Sequence, residues 1–477
     1  MRVWLLHSNE PTLHLLLERL ELPHGTKLPE GQQSPYAIHW GNYHTERPGR
    51  QSLQPVKSLL RASAPSKITE LLRLHGIRCD LAPHKQSYAH EYMVPVFHLN
   101  TLTLFQRPSG AKVYYGDRKP PQKQENEPFA ELTDETTPYH AIRAKREAVK
   151  AIYALGLDYG VVRIGVRPNG ELHVLELQAV PVLTPRLAEL FAAAMHRFTE
   201  ELAAVQEVRH DAMLGADPEF LLLDERGKVT FASRFLDKDG PIGCDAIVLP
   251  SFRKIYPLAE LRPEPSRDMA QLIVNLRRTM QLASRRIPDE SLQWLAGGMP
   301  VKGFPLGGHI HFSGVWLSSE LLRALDNYLA LPLVLLEAAT TGARKPKYGF
   351  LGDFRRQRHG FEYRVLPSWM VSPTVAKGVL ALAKLIADHY TLLTARPLND
   401  PAVQKAYYEG DKAQIRSLLP GLWRDIVRLP GYRKYEKYTA PLKSILLRME
   451  GWDERNDIRR GWKIGPFRIK EHSSINS

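Results

Sequence analysis

Four short polar pairs could do chemistry together. Asp217-Pro-Glu219 lies in GADPEFLLL, and Glu260-Leu-Arg262, with Glu264 just beyond, lies in AELRPEPS. His309-Ile-His311 lies in GGHIHFS, and Glu362-Tyr-Arg364 in GFEYRVLPS. Each sits in or beside a strand-like run, where side chains two apart point the same way. Four such pairs on neighbouring strands put acids, imidazoles and a guanidinium on one surface. That surface is costly to bury without a cation or an anionic substrate, which points to an enzyme. Clustered carboxylates suit a hard divalent ion, magnesium first and manganese as its alternative. Zinc competes through the His-x-His pair, but no cysteine or HExxH accompanies it. On this reading Glu362 meets a metal and Arg364 a phosphate or carboxylate. Arg344, Lys345, Lys347, Arg355, Arg356 and Arg358 load the preceding loop. Such a loop can hold a triphosphate and steady a phosphoryl group in transfer. Taken singly, each motif reads as a surface acid, a structural histidine, an ion pair or a solvated loop. Their joint occurrence favours the functional reading.

The elements that must position these residues follow from periodicity. Val3–Leu6 reads as a strand and Leu13–Leu20 as a helix, before a Gly/Pro/Ser-rich stretch over 23–34. Pro65–His75 reads as a helix with Ser66 as its cap. Tyr92–Phe97 and Leu102–Gln106 read as strands, and Lys119–Thr137 as a loop. Arg143–Leu155 reads as a helix stopped at Gly156. Gly160–Val166 and Leu172–Leu177 form a hairpin about Asn169-Gly170. Thr184–Ala203 is helical. Glu219–Asp224 and Val229–Phe231 pair about Arg226-Gly227. Arg267–Arg286, Ser319–Ala338 and Pro373–Tyr390 read as helices, His309–Ser313 and Phe361–Leu366 as strands, and 342–360 as a basic loop that is a lid candidate. Strands alternating with helices without βαβ spacing imply an α+β fold, an antiparallel sheet with helices on one face. After Pro397 the chain reads as helical and basic, with an irregular tail over 456–477.

Length and composition set the frame. A chain of 477 residues exceeds one ordinary core. The expected division is 1–205, 206–395 and a basic helical extension over 396–477. Two cysteines, Cys79 and Cys244, exclude a disulfide framework and suit a reducing cytoplasm. No apolar run reaches membrane-spanning length, and the first residues do not resemble a secretion signal. The 65 basic against 51 acidic residues give a net charge of +14, which suits ATP, acidic peptides or nucleic acid. Nucleic acid is disfavoured, because no reading motif or aromatic interleaving accompanies the charge.

Together GADPEF, AELRPEPS, GGHIHFS and GFEYRVLPS resemble the carboxylate–amine ligases of the glutamine synthetase and glutamate–cysteine ligase fold. The amidoligase branch found in phage and bacterial gene clusters is the most similar. The resemblance implies a curved antiparallel catalytic sheet over 211–390. It also implies metal contacts from Asp217, Glu219, Glu260, Glu264, His309 and Glu362. Phosphate contacts fall to His311, Arg344, Lys347, Arg356, Arg358 and Arg364. Asp217 stands where glutamate is usual in that family. A second likeness lies upstream, where ALGLDYGVVRIGVRPNGELHVLELQAVPVLTP is similar to the closing segment of ATP-grasp domains. There Glu176 is kept, Gln178 replaces an asparagine, and Arg163 stands where an acid is expected. SKITELLRLHGI and EYMVPVF match earlier pieces, with too little chain between them for a full nucleotide cover. The implied N-terminal unit is a truncated, degenerate ATP-grasp-like α+β domain, a substrate platform more than a second ligase.

The chemistry implied is ATP- and magnesium-dependent amide or isopeptide formation through an acyl phosphate, on an amino acid or peptide. Arg364 and Arg355 would support the transferring phosphoryl group, and a nearby carboxylate, Glu264, would take the amine's proton. A metal-dependent phosphotransferase using the same site, or a metal-dependent hydrolase, is the alternative. Identity of the acid and the amine is not encoded in these motifs, and the fold leaves a homo-oligomer open.

Overall fold

Along Met213–Leu223 the residues Leu214, Ala216, Phe220 and Leu222 face one way and are buried, while Asp217 and Glu219 face the other. In the computed structural model this run is the central strand of an antiparallel sheet. The structure describes residues 3–29, 36–41, 52–81, 88–107, 129–132, 137–207, 211–248 and 253–466. It divides into two units, Met1–Arg209 and His210–Ser477.

In the second unit the sheet runs in the order Ile242–Val248, Lys254–Leu261, Met213–Leu223, Gly308–Ser313, Gly360–Tyr363, Phe354–Gln357. Every pairing is antiparallel. Val229–Thr230 and Gln293–Leu295 also pair with the far half of the central strand. This is the curved antiparallel sheet with flanking helices that the motifs imply. Its apolar face carries Phe220, Ile310, Phe312, Phe361 and Tyr363, all fully buried. Phe312 stacks on Phe361 at 5.1 Å and Phe220 on Trp294 at 4.5 Å. The helices Met269–Arg286 and Pro373–His389 contact the sheet strands. Each has a side-chain cap. Asp268 Oδ1 accepts from the Ala270 and Gln271 amides, and Ser372 Oγ from the Val375 amide. The helices Pro401–Glu409, Lys412–Val427 and Tyr432–Arg448 belong to this same unit, and the last packs on Pro373–His389.

Three local readings change in this unit. The helix over 319–338 is broken: Ser319–Leu325 is α-helical, Asp326–Ala330 widens to a π turn, and Leu331–Leu333 resumes. Pro332 has no N–H for the Tyr328 carbonyl, and buried Asp326 and Asn327 bond outside the helix. The basic loop is largely structured. Thr341–Arg344 forms a short helix, and Phe354–Gln357 pairs with Gly360–Tyr363 about Arg358-His359. The tail contains the helix Ile458–Trp462, with Arg459 buried among Asp457, Pro466 and Leu292.

The first unit holds a parallel sheet in the order 24–25, 3–7, 36–40, 52–53. Its antiparallel sheet runs 172–178, 159–166, 90–97, 105–107, 130–131. The hairpin about Asn169-Gly170 forms as the turn residues predict. Ser66 does not cap its helix. Pro65 takes the first helical position and Ala64 the cap, so Ser66 falls inside. The loop over 119–137 lies mostly outside the described residues.

Candidate functional site

One face of the second unit's sheet gathers the motif residues through register alone. Asp217 pairs with His309, His311 with Glu362, Glu362 with Arg355, and Glu219 with Glu260. Cross-strand partners share a face, so all seven side chains rise from the same side. Glu362 is 1% exposed, Glu219 4%, and Glu260 and His309 6% each.

Two acidic centres result. In the first, ligand atoms of Asp217, His311 and Glu362 lie within 4.8 Å of one another. His311 Nε2 is 3.0 Å from Asp217 Oδ2. His309 Nδ1 sits between Asp217 Oδ1 at 3.5 Å and Glu362 Oε1 at 3.2 Å. Glu362 is flanked by Arg364 Nε at 3.2 Å, Arg355 Nη1 at 3.3 Å and Gln357 Nε2 at 3.3 Å. Even so, Asp217 Oδ1 and Glu362 Oε1 are buried and accept no hydrogen bond.

In the second centre, oxygens of Glu219, Asp245 and Glu260 lie within 4.8 Å of one another. Gly307 N donates to Glu219 Oε2 at 2.6 Å. Arg262 donates to Glu260 Oε2 and to the Lys238 and Gly240 carbonyls. Gly243, opposite Glu260, makes this reach possible: a Cβ there would lie 2.3 Å from Arg262 Nη1.

Burial pushes the Glu219 carboxyl up to about 7; His309 and the Gly307 amide pull it down, and Asp245 and Asp217 add to the rise. Burial also raises Glu260, reinforced by Asp217 against the pull of Arg262. For His309, burial disfavours the imidazolium, yet the carboxylates of Asp217 and Glu219 prevail and lift it to about 9. Asp217 moves the other way: burial opposes its charge, and the two imidazoles hold it well below the carboxylate range. A divalent cation among these carboxylates would relieve the same crowding of negative charge that raises Glu219, Glu260 and His309. Orphaned buried oxygens, an all-oxygen second group and a first group with one imidazole fit hard divalent cations.

The other expected residues are placed as follows. Glu264 lies past the strand end, exposed, outside both acid groups; its carbonyl accepts from Asn275. Arg344 is buried and gives its guanidinium to the Val365 and Leu366 carbonyls. Lys347, Arg355, Arg356 and Arg358 are exposed, and Arg364 is half-buried. Lys345 is buried on Glu337 at 2.8 Å. Tyr407 donates to the Gly349 carbonyl and Tyr408 accepts from the Leu351 amide, so residues 344–351 are tied to the helix Pro401–Glu409.

Asp245, Gln357 and His359 escape a reading of motifs. His359 Nε2 is 3.3 Å from His311 Nδ1 at the hairpin turn. Asp245 stands alone in GCDAIV with no polar partner two residues away. Only the pairing of its strand with Lys254–Leu261 brings it to Glu260.

No curated protein matches the chain. Among solved structures, the ATP-grasp ligase PsnB complexed with its minimal precursor is 10% identical, covering 41% of this chain and 99% of that one, with a TM-score of 0.30. A bifunctional glutathione synthetase from Pasteurella multocida is 12% identical over 56% of this chain and 53% of its own, with a TM-score of 0.37. A novel glutamine synthase homolog is 14% identical over 56% and 74%, with a TM-score of 0.26. These likenesses are too slight to carry an argument. The profile of a ligase family, in contrast, matches residues 214–464, more than half of the chain and all of the strands that bear the two acidic centres. The chain belongs to the phage phiEco32-like COOH.NH2 ligase-type 2 family.

Proposed function

We propose that this protein joins a carboxylate to an amine at the expense of ATP, with magnesium, or manganese in its place, held by the two acidic centres. The observation that carries the reading is the convergence of Asp217, His311 and Glu362, and of Glu219, Asp245 and Glu260, on one sheet face within the matched family region. A carboxylate does not condense with an amine unaided, because hydroxide leaves poorly. Phosphorylation of the acid by ATP gives an acyl phosphate, whose phosphate leaves when the amine attacks. Divalent ions in these centres would supply charge neutralisation to the nucleotide's phosphates.

The chain's own groups divide the remaining work. Asp217, Glu219, Glu260 and Glu362 are fixed by backbone register and by Gly307, Arg262 and Arg364, so they need little reorganisation. His309, expected as a metal contact, lies between Asp217 and Glu362 and would orient both carboxylates, whereas His311, expected on phosphate, joins the first acidic centre with its Nδ1 towards His359. Arg364 and Arg355, already on Glu362, would meet phosphoryl oxygens, and the exposed Arg358 and Lys347 the rest of the nucleotide, whereas Arg356 pairs with Phe361 on the opposite, apolar face of the sheet. The amine's proton would go to a carboxylate of the two centres rather than to Glu264, which stands outside both. The 354–360 hairpin is assigned the role of cover. Arg344 supports the strand that carries the site.

In the first unit we propose a substrate platform. Arg163 Nη1 is 3.1 Å from Glu176 Oε2, and Gln178 Nε2 is 2.7 Å from Glu176 Oε1. The acid that would hold a cation in an ATP-grasp site thus already has a guanidinium and an amide.

Amine-dependent ADP release, measured with MgATP across a panel of amino acids and peptides, tests the reading. Glu219→Gln and Glu362→Gln should abolish it while leaving the fold intact. ADP release that needs no amine, or that persists in both variants, would overturn it.

A further inference from the structure

A carboxylate from the far end of the chain reaches the surroundings of Glu219. Glu454 is 5% exposed. Its Oε1 accepts from the Gly298 amide at 2.5 Å, and its Oε2 from Thr340 Oγ1 at 2.6 Å. Gly297 has φ +118°, and a Cβ there would lie 2.4 Å from Glu454 Oε1. Only glycine lets the acid come this close.

The turn that Glu454 holds is bonded onward by two routes. Gly298 O accepts from the Leu306 amide at 2.9 Å, and the next residue, Gly307, donates to Glu219 Oε2 at 2.6 Å. The Glu219 amide returns a bond to Gly307 O at 2.9 Å. By the second route, Gly297 O accepts from the Ser368 amide at 2.9 Å, and Ser368 Oγ donates to Glu219 O at 2.5 Å. Both the side chain and the main chain of Glu219 are therefore fixed through the 297–298 turn.

We infer that Glu454 is a positioning residue: by clamping the Gly297–Gly298 turn it sets where the Glu219 carboxylate stands. The consequence for cation binding rests on the proposed function; the geometric claim does not. Anchoring of the chain end alone does not call for this acid. Trp452 N already bonds Leu336 O, Arg459 bonds Leu292 O, and Trp462 Nε1 bonds Met370 O. A buried carboxylate that merely tied down the tail would be an expensive duplicate of these bonds. Ligand placement within a fraction of an ångström is what such outer supports secure.

The test uses the full-length protein and two readouts. Hydrogen exchange of the metal-free protein follows the amides of 297–308, and a Mn²⁺ titration follows affinity. Glu454→Ala should speed exchange across 297–308 and weaken Mn²⁺ at the Glu219 centre about 10-fold. Glu454→Gln keeps an acceptor for the Gly298 amide and should restore both. Leu446→Ala, a core truncation in the Tyr432–Arg448 helix, controls for general destabilisation and should leave affinity unchanged. Thr340→Ala, at an exposed position, frees one oxygen of Glu454 and should shift both readouts the same way, about two- to fivefold. It also serves if Glu454→Ala fails to fold. Wild-type exchange and affinity in Glu454→Ala and Thr340→Ala, or an equal loss in Leu446→Ala, would overturn the inference. If the wild type binds no Mn²⁺, the proposed function fails, and exchange alone decides the role of Glu454.

Discussion

Replacing Glu219 by glutamine should stabilise the metal-free protein while destroying its activity. Glu219 is 4% exposed, and burial lifts its carboxyl from 4.5 to about 7. Ionising it inside the fold therefore costs about 3 kcal/mol, less whatever local relaxation recovers. The sign follows from proton counts. Between about pH 4.5 and 7 the folded state holds a proton on Glu219 that the unfolded state has released, so wild-type stability falls as pH rises through that window and levels off above it. Glutamine matches the shape, can still accept from the Gly307 amide, and carries no charge. In EDTA the variant should gain little at pH 4.5 and up to about 3 kcal/mol at pH 8.5. Magnesium at about 100 times its dissociation constant should add about 2.7 kcal/mol to the wild type, and much less to the variant. Urea unfolding at the two pH values, with EDTA or magnesium, measures all four numbers. A variant no more stable than wild type in EDTA at pH 8.5 would refute the claim that this acid is held against its own stability for a cation.

Other outcomes follow from the same structure. Mn²⁺ affinity should fall as pH drops below about 7, by at most about 10-fold per pH unit for each proton displaced, because Glu219 then keeps its proton; calorimetry in buffers of different ionisation heat counts those protons. Asp245→Asn should weaken cation binding at the Glu219 centre as much as Glu260→Gln does, although no motif marks Asp245. Lys345→Met strands the buried Glu337 and should cost about 3–5 kcal/mol, with most of it returned in Glu337→Gln/Lys345→Met; denaturant midpoints of the two variants check this.

The pairs spaced by two were legible because a strand's two-residue period fixes which side chains share a face. Asp217 with Glu219, and His309 with His311, needed nothing more. Which strands would be neighbours was not legible, and Asp245 shows why: its partner Glu260 is fifteen positions away and meets it only through sheet register. Arg344 was read by charge among other basic residues, but burial directs it to the Val365 and Leu366 carbonyls, a choice that depends on tertiary packing. The 342–360 stretch looked like a loop because its arginines mask the alternation of a short edge strand. Glu264 is two residues beyond Arg262, yet Pro263 and Pro265 lie outside the strand and carry it away from the acid groups. The parallel sheet of the first unit is not legible in the sequence, since two of its four strands have only two residues each.

Crystals grown with manganese and a non-hydrolysable ATP analogue address the central claim most directly. Anomalous density should appear between Asp217, His311 and Glu362 and among Glu219, Asp245 and Glu260, with the analogue's phosphates facing both. Manganese found only elsewhere, with these six side chains keeping to one another, would contradict it.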